Sequence, residues 1–337
     1  MKDKKISIIA EAGINHNGSL SIAFRLCKIA KDSGADYVKF QIFNMNEQIS
    51  KFAKTANYQK KQTNKDSMIE MAKSYALSIN DHIKIKKYCK KINIKYLASC
   101  FDIESTKFYK KNLNKSEIKI GSGEITNYPL LKFISKRFKK IILSTGMANI
   151  KEIKKAVKII NIKRNNITIL HCNSMYPTKL ENVNLNTIKY LQKIFKIKTG
   201  FSDHTTEIET GKIAVACGAQ ILEKHITFSN NAKGPDHKTS LNPAKFRKYV
   251  DEVKKISNVL GFEKKVLHKK EIKMIKFARR GVVAKKNLNK GALINLKNFT
   301  FKRPCLGIPC ENFDIYKGKK IKRKISYDEN LKIKHLK

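Results

Sequence analysis

The sequence predicts an α/β protein, a (β/α)8 barrel of the TIM type followed by a small β-rich domain. Short apolar runs alternate with longer amphipathic stretches from the N-terminus to about residue 259. There are eight such runs, each followed by a helical pattern, and this alternation is typical of a parallel sheet that closes on itself. After about residue 260 the pattern changes to short β-rich pieces between lysine-rich turns.

The strands are predicted where β-branched and apolar residues form short runs bounded by charged or glycine-containing segments. Amphipathic stretches with helical spacing follow them, beginning with SLSIAFRLCKIAKDSG. A longer insertion over about 44–78 precedes a helix near 80–93, and the last helix covers about 243–259. In chain order the predicted strands are KISIIAEAG (5–13), DYVKFQIF (36–43), IKYLASCF (94–101), EIKIGSG (117–123), KIILSTGM (140–147), ITILHCNS (167–174), KTGFSDH (198–204) and AQILEKHIT (219–227).

The C-terminal part differs from the barrel in composition. The segment GFEKKVLHKKEIKMIKFARR has the character of a charged linker, and the segment after it contains short β-rich pieces, a Lys-Gly turn and a Pro/Gly loop. We therefore predict a barrel domain over 1–262, a linker over 263–278 and a small β-rich domain over 279–337.

Composition excludes several classes of protein. With 337 residues, 41% of them hydrophobic, the chain has enough apolar side chains for a large core. It has no apolar run as long as a membrane helix, and its N-terminus lacks the pattern of a signal peptide. Seven cysteines without a Cys-x-x-Cys pair predict reduced thiols, with neither a disulfide framework nor a zinc cluster. We expect a cytoplasmic protein without a membrane partner.

The formal net charge of +45 comes from 72 Lys and Arg against 27 Asp and Glu. The positive residues are mostly lysine and are spread over every predicted helix, which is typical of solvated faces. Nucleic-acid sites more often cluster arginines with aromatic residues. A basic nucleic-acid-binding protein is therefore a remote alternative, and no nucleic-acid partner is predicted. An acidic substrate would still benefit from the field of such a protein.

Polar side chains stand at the carboxyl ends of the predicted strands, which form one functional rim in a barrel of parallel strands. His204 in GFSDHT and His225 in ILEKHIT end two successive strands. Two imidazoles so placed can share one divalent cation and leave positions open to water or substrate. We expect Mn2+, with Mg2+ or Co2+ as alternatives. The competing interpretation is a pair of buried histidines with a packing role.

Lys39 and Lys119 lie inside apolar strands, where a charged side chain is normally excluded. At a barrel mouth such a lysine is either a nucleophile that forms a Schiff base or part of an anion clamp. Neighbouring serines favour the clamp, because phosphate and carboxylate oxygens accept from ammonium and hydroxyl groups. These serines are Ser122, Ser144 and Ser202. A Schiff-base pyruvate aldolase on the same barrel is the alternative.

Two carboxylates, Glu11 and Glu124, stand at the ends of the first and fourth strands. Each can bind sugar hydroxyls or transfer a proton, and each can also be a structural hydrogen-bond acceptor. The GSGE segment around Glu124 lacks the G-x-G-x-x-G pattern, so a nicotinamide enzyme is not supported. The loop GPDHKTSL (234–241) places Asp236 where barrel loops often close over a substrate.

These residues belong to a longer ordered series of motifs: IIAEAGINHNGSL, KFQ, KIGSGEITNYPLL, LSTGM, HC with YPT, GFSDHT, EKHIT, GPDHKTSL, ARRGVVAKKNLNKG and KRPCLGIP. The series resembles the sialic acid synthase family, which comprises N-acetylneuraminate synthases and the related legionaminate and pseudaminate synthases. It covers essentially the whole chain. The last two motifs resemble the antifreeze-like (SAF) domain of that family.

The resemblance implies a transferase that condenses phosphoenolpyruvate with the open-chain aldehyde of an N-acylated mannosamine-type sugar. Carbon 3 of phosphoenolpyruvate attacks the aldehyde, water enters at carbon 2, and phosphate leaves with C–O cleavage. The family also implies a domain-swapped homodimer, in which the antifreeze-like domain lies over the partner subunit's barrel.

Residue roles follow from the same resemblance. His204 and His225 resemble the metal ligands that polarise the aldehyde. Glu124 fits a proton-transfer role, and Arg303 in KRPCLGIP resembles the arginine that reaches the acyl group of the sugar. The positions that fit phosphoenolpyruvate binding are Lys39, Lys119, Ser122, Ser144 and Ser202, and those that fit contacts with the sugar or the metal shell are Glu11, Gln41, Tyr176 and Asp236.

A few positions depart from the family pattern. Cys100 in SCFD stands where family members commonly carry Thr, which predicts the loss of a hydroxyl donor to phosphate. Ser174, a candidate for substrate binding, stands where some neuraminate synthases have Asn, and Cys305 replaces a glycine near Arg303. The segments YQKKQT (58–63) and GEITNYPLL look closer to legionaminate-type synthases, which take a 2,4-diacetamido-trideoxy-mannose. N-acetylneuraminate synthase is the alternative.

Overall fold

A computed structural model describes residues 6–55, 63, 66–114, 116–161, 165–261 and 264–336. The chain divides into two compact units, Met1–Gly261 and Phe262–Lys337. In the first unit, eight parallel strands close into a barrel in chain order, which confirms the predicted fold class. Among the helices of the described residues, none is both long and apolar enough to span a bilayer.

Strands and helices alternate through the first unit. The strands are β1 (Ser7–Gly13), β2 (Tyr37–Ile42), β3 (Lys95–Cys100), β4 (Glu117–Ile120), β5 (Lys140–Ser144), β6 (Asn166–Cys172), β7 (Lys198–Asp203) and β8 (Ile221–His225). The helices are α1 (Leu20–Asp32), α2 (Met45–Gln48), α3 (Met68–Tyr75), α4 (Ile79–Lys91), α5 (Ile103–Phe108), α6 (Tyr128–Ser135), α7 (Ile150–Ile160), α8 (Asn186–Phe195), α9 (Glu209–Ala216) and α10 (Pro243–Leu260). Within the described residues of the insertion predicted over 44–78 lie the short helices α2 and α3.

The alternation of side chains along each strand separates two layers. On β2 the side chains of Val38 and Phe40 face outward and pack in the core between barrel and helices. Residues between the outward positions face inward, where Ile9, Leu97 and Leu170 belong to an apolar cluster inside the barrel. Two residues further along the strands, the inward positions become polar. These polar side chains inside the barrel therefore lie at the carboxyl ends of the strands.

Strand β4 ends three residues earlier than predicted. After Ile120 the chain turns into a short 3-10 helix over Ser122–Glu124, which Gly121 precedes in an extended conformation. The backbone N–H of Ile125 donates to the Ser122 carbonyl and closes this turn. The carboxyl of Glu124 therefore projects from a loop turn of the mouth and not from a strand.

The second unit has a small core of its own. Helix α11 (Lys269–Ala278) precedes strands β9 (Gly281–Ala284) and β10 (Phe299–Lys302), which pair antiparallel, and a short helix, α12 (Phe313–Tyr316), follows. The stretch predicted as a linker thus contains a helix. A capping box between His268 and Glu271 satisfies backbone groups at its first turn and explains where it starts.

Gly200 on β7 lies where the barrel leaves no room for a side chain. A methyl group in place of its hydrogen would lie 2.2 Å from the Ile221 carbonyl oxygen of β8. We expect Gly200→Ala to lower the free energy of unfolding by roughly 1–3 kcal/mol, because backbone must move. Gly123→Ala is the control, since nothing lies within 4 Å of its added methyl group. Urea unfolding measures both, and equal stability of the two variants would contradict this packing.

Candidate active site

The register of the strands places the polar interior residues at one level. On β1 and its two neighbours, Glu11 is aligned with Lys39 on one side and with His225 on the other. Ser202 of β7 is aligned with Glu223 of β8. Aligned residues on parallel neighbours have side chains at the same height, so these groups meet inside the mouth.

Two lysines and two glutamates form a buried charge network at this level. Lys39 Nζ lies 2.8 Å from Glu11 Oε2 and 3.8 Å from Glu223 Oε1. Lys119 Nζ lies 3.2 Å from the same Glu223 oxygen. The Ser202 hydroxyl also donates to Glu223 Oε1, at 3.2 Å. All five side chains are buried, so each charge depends on the others for stabilisation.

Burial and the neighbouring charges shift the pKa values of these residues in different directions. Burial opposes the charge on Glu223, but Lys119 and Lys39 outweigh it and lower the pKa to about 2. Burial likewise opposes the charge on Lys39, yet Glu11 and Glu223 raise its pKa. Burial raises the pKa of Glu11, against the opposing effect of Lys39. Two lysines thus share one strongly ionised carboxylate, which suits the binding of an anion.

Serine hydroxyls line the mouth beside the lysines. Ser144 Oγ is buried and has no hydrogen-bond partner among the described residues. Ser122 Oγ accepts from the backbone N–H of Gly146 at 3.0 Å. A methyl group on Gly146 would lie 2.3 Å from Ser174 Oγ and 2.8 Å from Ser122 Oγ. The two hydroxyls therefore close over a glycine backbone, and the Ser122 hydroxyl donates to Cys172 Sγ at 3.5 Å.

The rings of His204 and His225 lie side by side, with centroids 5.4 Å apart. His204 Nδ1 lies 2.6 Å from the Asn173 carbonyl oxygen, which can only accept a hydrogen bond and therefore places a proton on Nδ1. Tyr176 stacks on the His204 ring at 4.2 Å, and its hydroxyl lies 3.2 Å from Nε2. Nδ1 of His225 is buried and lacks a hydrogen-bond partner among the described residues.

These two imidazoles fit one divalent cation. An ion at roughly 2.0–2.1 Å from one nitrogen of each ring would hold the centroids about 5–6 Å apart, which matches the observed separation. The carbonyl that orients His204 is the kind of partner that metal-bound histidines have. Burial lowers the pKa of His225 well below its ordinary value, so its imidazole is neutral. In the described part of the chain, no group of three or more His, Cys, Asp or Glu is arranged around a common ion.

Of the other residues predicted to belong to the site, three lie in the barrel unit and one lies in the second unit. Gln41 Nε2 donates to Glu11 Oε1 at 3.3 Å. Burial and the neighbouring Glu11 raise the pKa of the buried Asp236 to about 6. Burial raises the pKa of Glu124, against the hydrogen bond that its carboxylate accepts from the Asn127 side chain. Arg303 lies in the second unit, where its side chain is exposed.

Sequence reasoning missed Glu223, which joins both lysines, and Cys172, whose Sγ lies 3.8 Å from His204 Nδ1. Glu223 stands two residues before His225, as Ser202 stands two residues before His204. Since side chains on a strand alternate between faces, a residue two places before a rim histidine also faces inward. This spacing was the available signal for Glu223.

The expectation for Cys100 was wrong. Its side chain is fully buried in the layer between barrel and helices, where it lies beside Thr106. The adjacent Ser99 faces inward and accepts a hydrogen bond from Lys39 Nζ at 3.1 Å. A thiol in place of a hydroxyl at position 100 therefore does not remove a side-chain donor from the barrel interior.

Comparison with known proteins gives a consistent assignment. Residues 26–265 match the model of the NeuB family, and residues 279–337 match that of the SAF domain. The chain is 43% identical over 330 residues to N,N'-diacetyllegionaminic acid synthase of Campylobacter jejuni, an alignment that covers 97% of this chain and 98% of that protein.

Two further relatives support the match. The chain is 34% identical to N,N'-diacetyllegionaminic acid synthase of Legionella pneumophila, over 98% of this chain and 94% of that protein. Its fold is similar to the crystal structure of N-acetylneuraminic acid (sialic acid) synthetase from Leptospira borgpetersenii in complex with citrate. That match has a TM-score of 0.72 and 32% identity, and covers 80% of this chain and 90% of the other.

Replacement of Glu223 tests the buried charge network. Glu223→Gln leaves two ammonium groups with less compensation, and we expect a loss of roughly 3–5 kcal/mol in the free energy of unfolding at pH 7. Because the folded-state pKa is lowered, wild type gains this stability above the ordinary value of 4.5 and loses it as the pH falls towards about 2. The difference between the two proteins should therefore shrink over that window in urea titrations.

The control for this experiment is Glu117→Gln. Glu117 lies on the same barrel interior and accepts a hydrogen bond from the neutral Tyr37 hydroxyl at 3.2 Å. Its replacement is expected to cost only about 1 kcal/mol at pH 7. The network would be contradicted if Glu223→Gln lowered the free energy of unfolding by only that same amount and if this loss were equal at pH 7 and pH 3.

Proposed function

Because the chain belongs to the NeuB family, we propose that it is a nonulosonic acid synthase, a transferase that joins phosphoenolpyruvate to the open-chain aldehyde of an N-acylated mannosamine-type sugar. One observation carries the proposal: two buried lysines stand beside two imidazoles in a single barrel mouth. The lysines suit an acidic substrate, and the imidazoles suit a cation that polarises an aldehyde.

Phosphoenolpyruvate would bind on the lysine side of the mouth. Its carboxylate and phosphate oxygens need several donors, which Lys39 and Lys119 provide together with the Ser144 and Ser122 hydroxyls. Glu223 lies between the two ammonium groups and holds both in place before the substrate arrives. Preorganised charges of this kind bind an anion without a further cost for ordering side chains.

His204 and His225 would hold the divalent cation, for which Mn2+ is proposed first and Mg2+ or Co2+ as alternatives. A bound cation there supplies Lewis-acid polarisation of the aldehyde oxygen. The Asn173 carbonyl orients the His204 ring for this task. Asp236 and Tyr176 fit contacts with the water shell of the cation and with sugar hydroxyls.

The reaction forms a bond from carbon 3 of phosphoenolpyruvate to the aldehyde carbon, and the aldehyde oxygen takes up a proton. Water adds at carbon 2 and gives up a proton. The bond from carbon 2 to the phosphate oxygen then breaks, which releases a 2-keto acid and inorganic phosphate. We assign these proton transfers to Glu124 and Glu11, because burial raises both pKa values towards the range useful near neutral pH.

The product is proposed to be N,N'-diacetyllegionaminate, with N-acetylneuraminate as the alternative. Support comes from the segment GEITNYPLL and from the printed names of the Campylobacter and Legionella relatives. The other supporting segment, YQKKQT, lies outside the described residues except for its last position, residue 63.

The assembly and location belong to the same proposal. We propose a domain-swapped homodimer in which the exposed Arg303 of one chain reaches the acyl group of the sugar in the barrel of the other. We further propose that the enzyme is cytoplasmic and has neither a nucleic acid nor a membrane as a partner. The seven cysteines, all within the described residues, are free thiols, which agrees with a reducing compartment.

The Schiff-base aldolase requires a lysine that loses its proton and attacks a carbonyl group. Burial lowers the pKa of Lys119, against the opposing effect of Glu223, and this is the observation in favour of that alternative. Lys39 does not suit the role, because Glu11 and Glu223 overcome the effect of burial and raise its pKa. Substrate choice separates the two enzymes, since an aldolase uses pyruvate and releases no phosphate.

Removal of the cation should stop the reaction. We expect EDTA to abolish phosphate release from phosphoenolpyruvate and added Mn2+ to restore it. His204→Ala should lower kcat/KM by roughly 10²–10³-fold, the scale of losing one key electrostatic contact in a transition state. His82→Gln is the control, because His82 on α4 is a buried histidine whose Nδ1 lies 2.9 Å from the Tyr96 hydroxyl of β3. Turnover that persists in chelator would rule out the metal role.

A mass-spectrometric product assay tests the reaction itself. Purified enzyme receives phosphoenolpyruvate with the 2,4-diacetamido-trideoxy sugar in one tube and with N-acetylmannosamine in another, and pyruvate replaces phosphoenolpyruvate in matched tubes. We expect product and stoichiometric phosphate only from phosphoenolpyruvate, with the diacetamido sugar preferred. Product from pyruvate, with an adduct on Lys119 after borohydride reduction, would establish the aldolase instead.

A further inference from the structure

A second buried ion pair lies behind the two histidines, on the helix-facing side of the same strands. Lys224 Nζ is 2.9 Å from Asp203 Oδ2, and each side chain is at most 1% exposed. The two residues are aligned in the pairing of β7 with β8. Asp203 directly precedes His204 in the chain, and Lys224 directly precedes His225.

The Lys224 ammonium group also binds the residue on the far side of His204. It donates to the Thr205 carbonyl at 2.6 Å and contacts the Thr205 hydroxyl at 3.1 Å. Asp203 Oδ1 accepts from the Thr205 backbone N–H at 2.9 Å, and the Thr210 hydroxyl donates to Asp203 Oδ2 at 2.6 Å. The Lys224 ammonium group therefore contacts Asp203 and Thr205, the residues on both sides of His204. Lys224 itself directly precedes His225 in the chain.

Stability alone does not account for this arrangement. A buried ion pair loses hydration on both charges, and apolar residues of similar volume often serve the fold equally well. Such a pair can instead fix a register, because its charges tolerate little displacement. Here the register is that of the two strand ends that carry the imidazoles.

We propose that Asp203 and Lys224 are positioning residues that set the separation and orientation of the His204 and His225 rings for a shared divalent cation. This inference rests on the proposed function, in which these rings bind that cation. The pair acts from the outer face of the strands, through the backbone, and contacts neither substrate nor cation.

The test is the double variant Asp203→Asn/Lys224→Met, which removes both charges and retains similar side-chain volumes. Neither residue is then left as an unpaired buried charge. In the full-length protein we expect a melting temperature close to that of wild type and an Mn2+ affinity roughly 10–100-fold weaker, the usual effect of losing the support of a metal ligand. The signal of free Mn2+ in electron paramagnetic resonance measures this affinity without turnover. Phosphate release at saturating Mn2+ should recover most of the wild-type kcat.

Tyr37→Phe is the control for a general loss of stability. It removes the hydrogen bond from Tyr37 to Glu117 inside the barrel, and we expect a lower melting temperature with unchanged Mn2+ affinity. If the double variant does not fold, Thr205→Val replaces it. That variant keeps the ion pair, loses the hydroxyl contacts with Asp203 and Lys224, and should weaken Mn2+ binding severalfold.

The outcomes separate the two proposals. Wild-type protein that binds no Mn2+ would overturn the proposed function and this inference with it. Wild-type binding together with unchanged Mn2+ affinity in a folded double variant, or in Thr205→Val, would overturn the positioning role alone. Weaker Mn2+ binding with an intact fold, rescued in kcat by excess metal, is the expected result.

Discussion

Two ammonium groups and two carboxylates buried inside a barrel impose the strongest constraint on this protein. Taking such charges out of water costs several kcal/mol each unless they are paired with good geometry. Glu223 meets this requirement for both Lys39 and Lys119, and Glu11 completes the pairing on the other side of Lys39. The pairing works only if four strands hold their register, so the chemistry of the mouth and the closure of the barrel depend on each other.

The same strands contribute to the two halves of the site. On β7, Ser202 belongs to the charge network and His204 stands two residues further along. On β8, Glu223 and His225 repeat this spacing. The step of two residues keeps both side chains on the inner face and raises the second by one level. The charge network and the imidazoles are therefore contiguous, since Glu11 is aligned with Lys39 on one side and with His225 on the other.

Local pattern was sufficient to predict the barrel and most of the residues at its mouth. Strands and rim histidines are local features, since apolar runs and their polar ends can be read within a few residues. The pairing of Glu223 with Lys119 is not local, because it depends on which strands become opposite members of a closed sheet. The expected loss of a hydroxyl donor at Cys100 was wrong, because it rested on the resemblance to the family, whereas side-chain alternation from the inward Ser99 turns Cys100 outward. Helix α11 was missed because its capping box lies in a stretch dominated by lysine charge.

We propose that His204 and His225 bind one divalent cation through their ring nitrogens. Electron spin-echo envelope modulation of the Mn2+-loaded protein measures this directly, because it detects the nitrogen nuclei bound to the ion. We expect modulation from two imidazole nitrogens, reduced to one in His204→Ala and in His225→Ala alike. Modulation without any histidine nitrogen, or a wild-type spectrum that both substitutions leave unchanged, would contradict it.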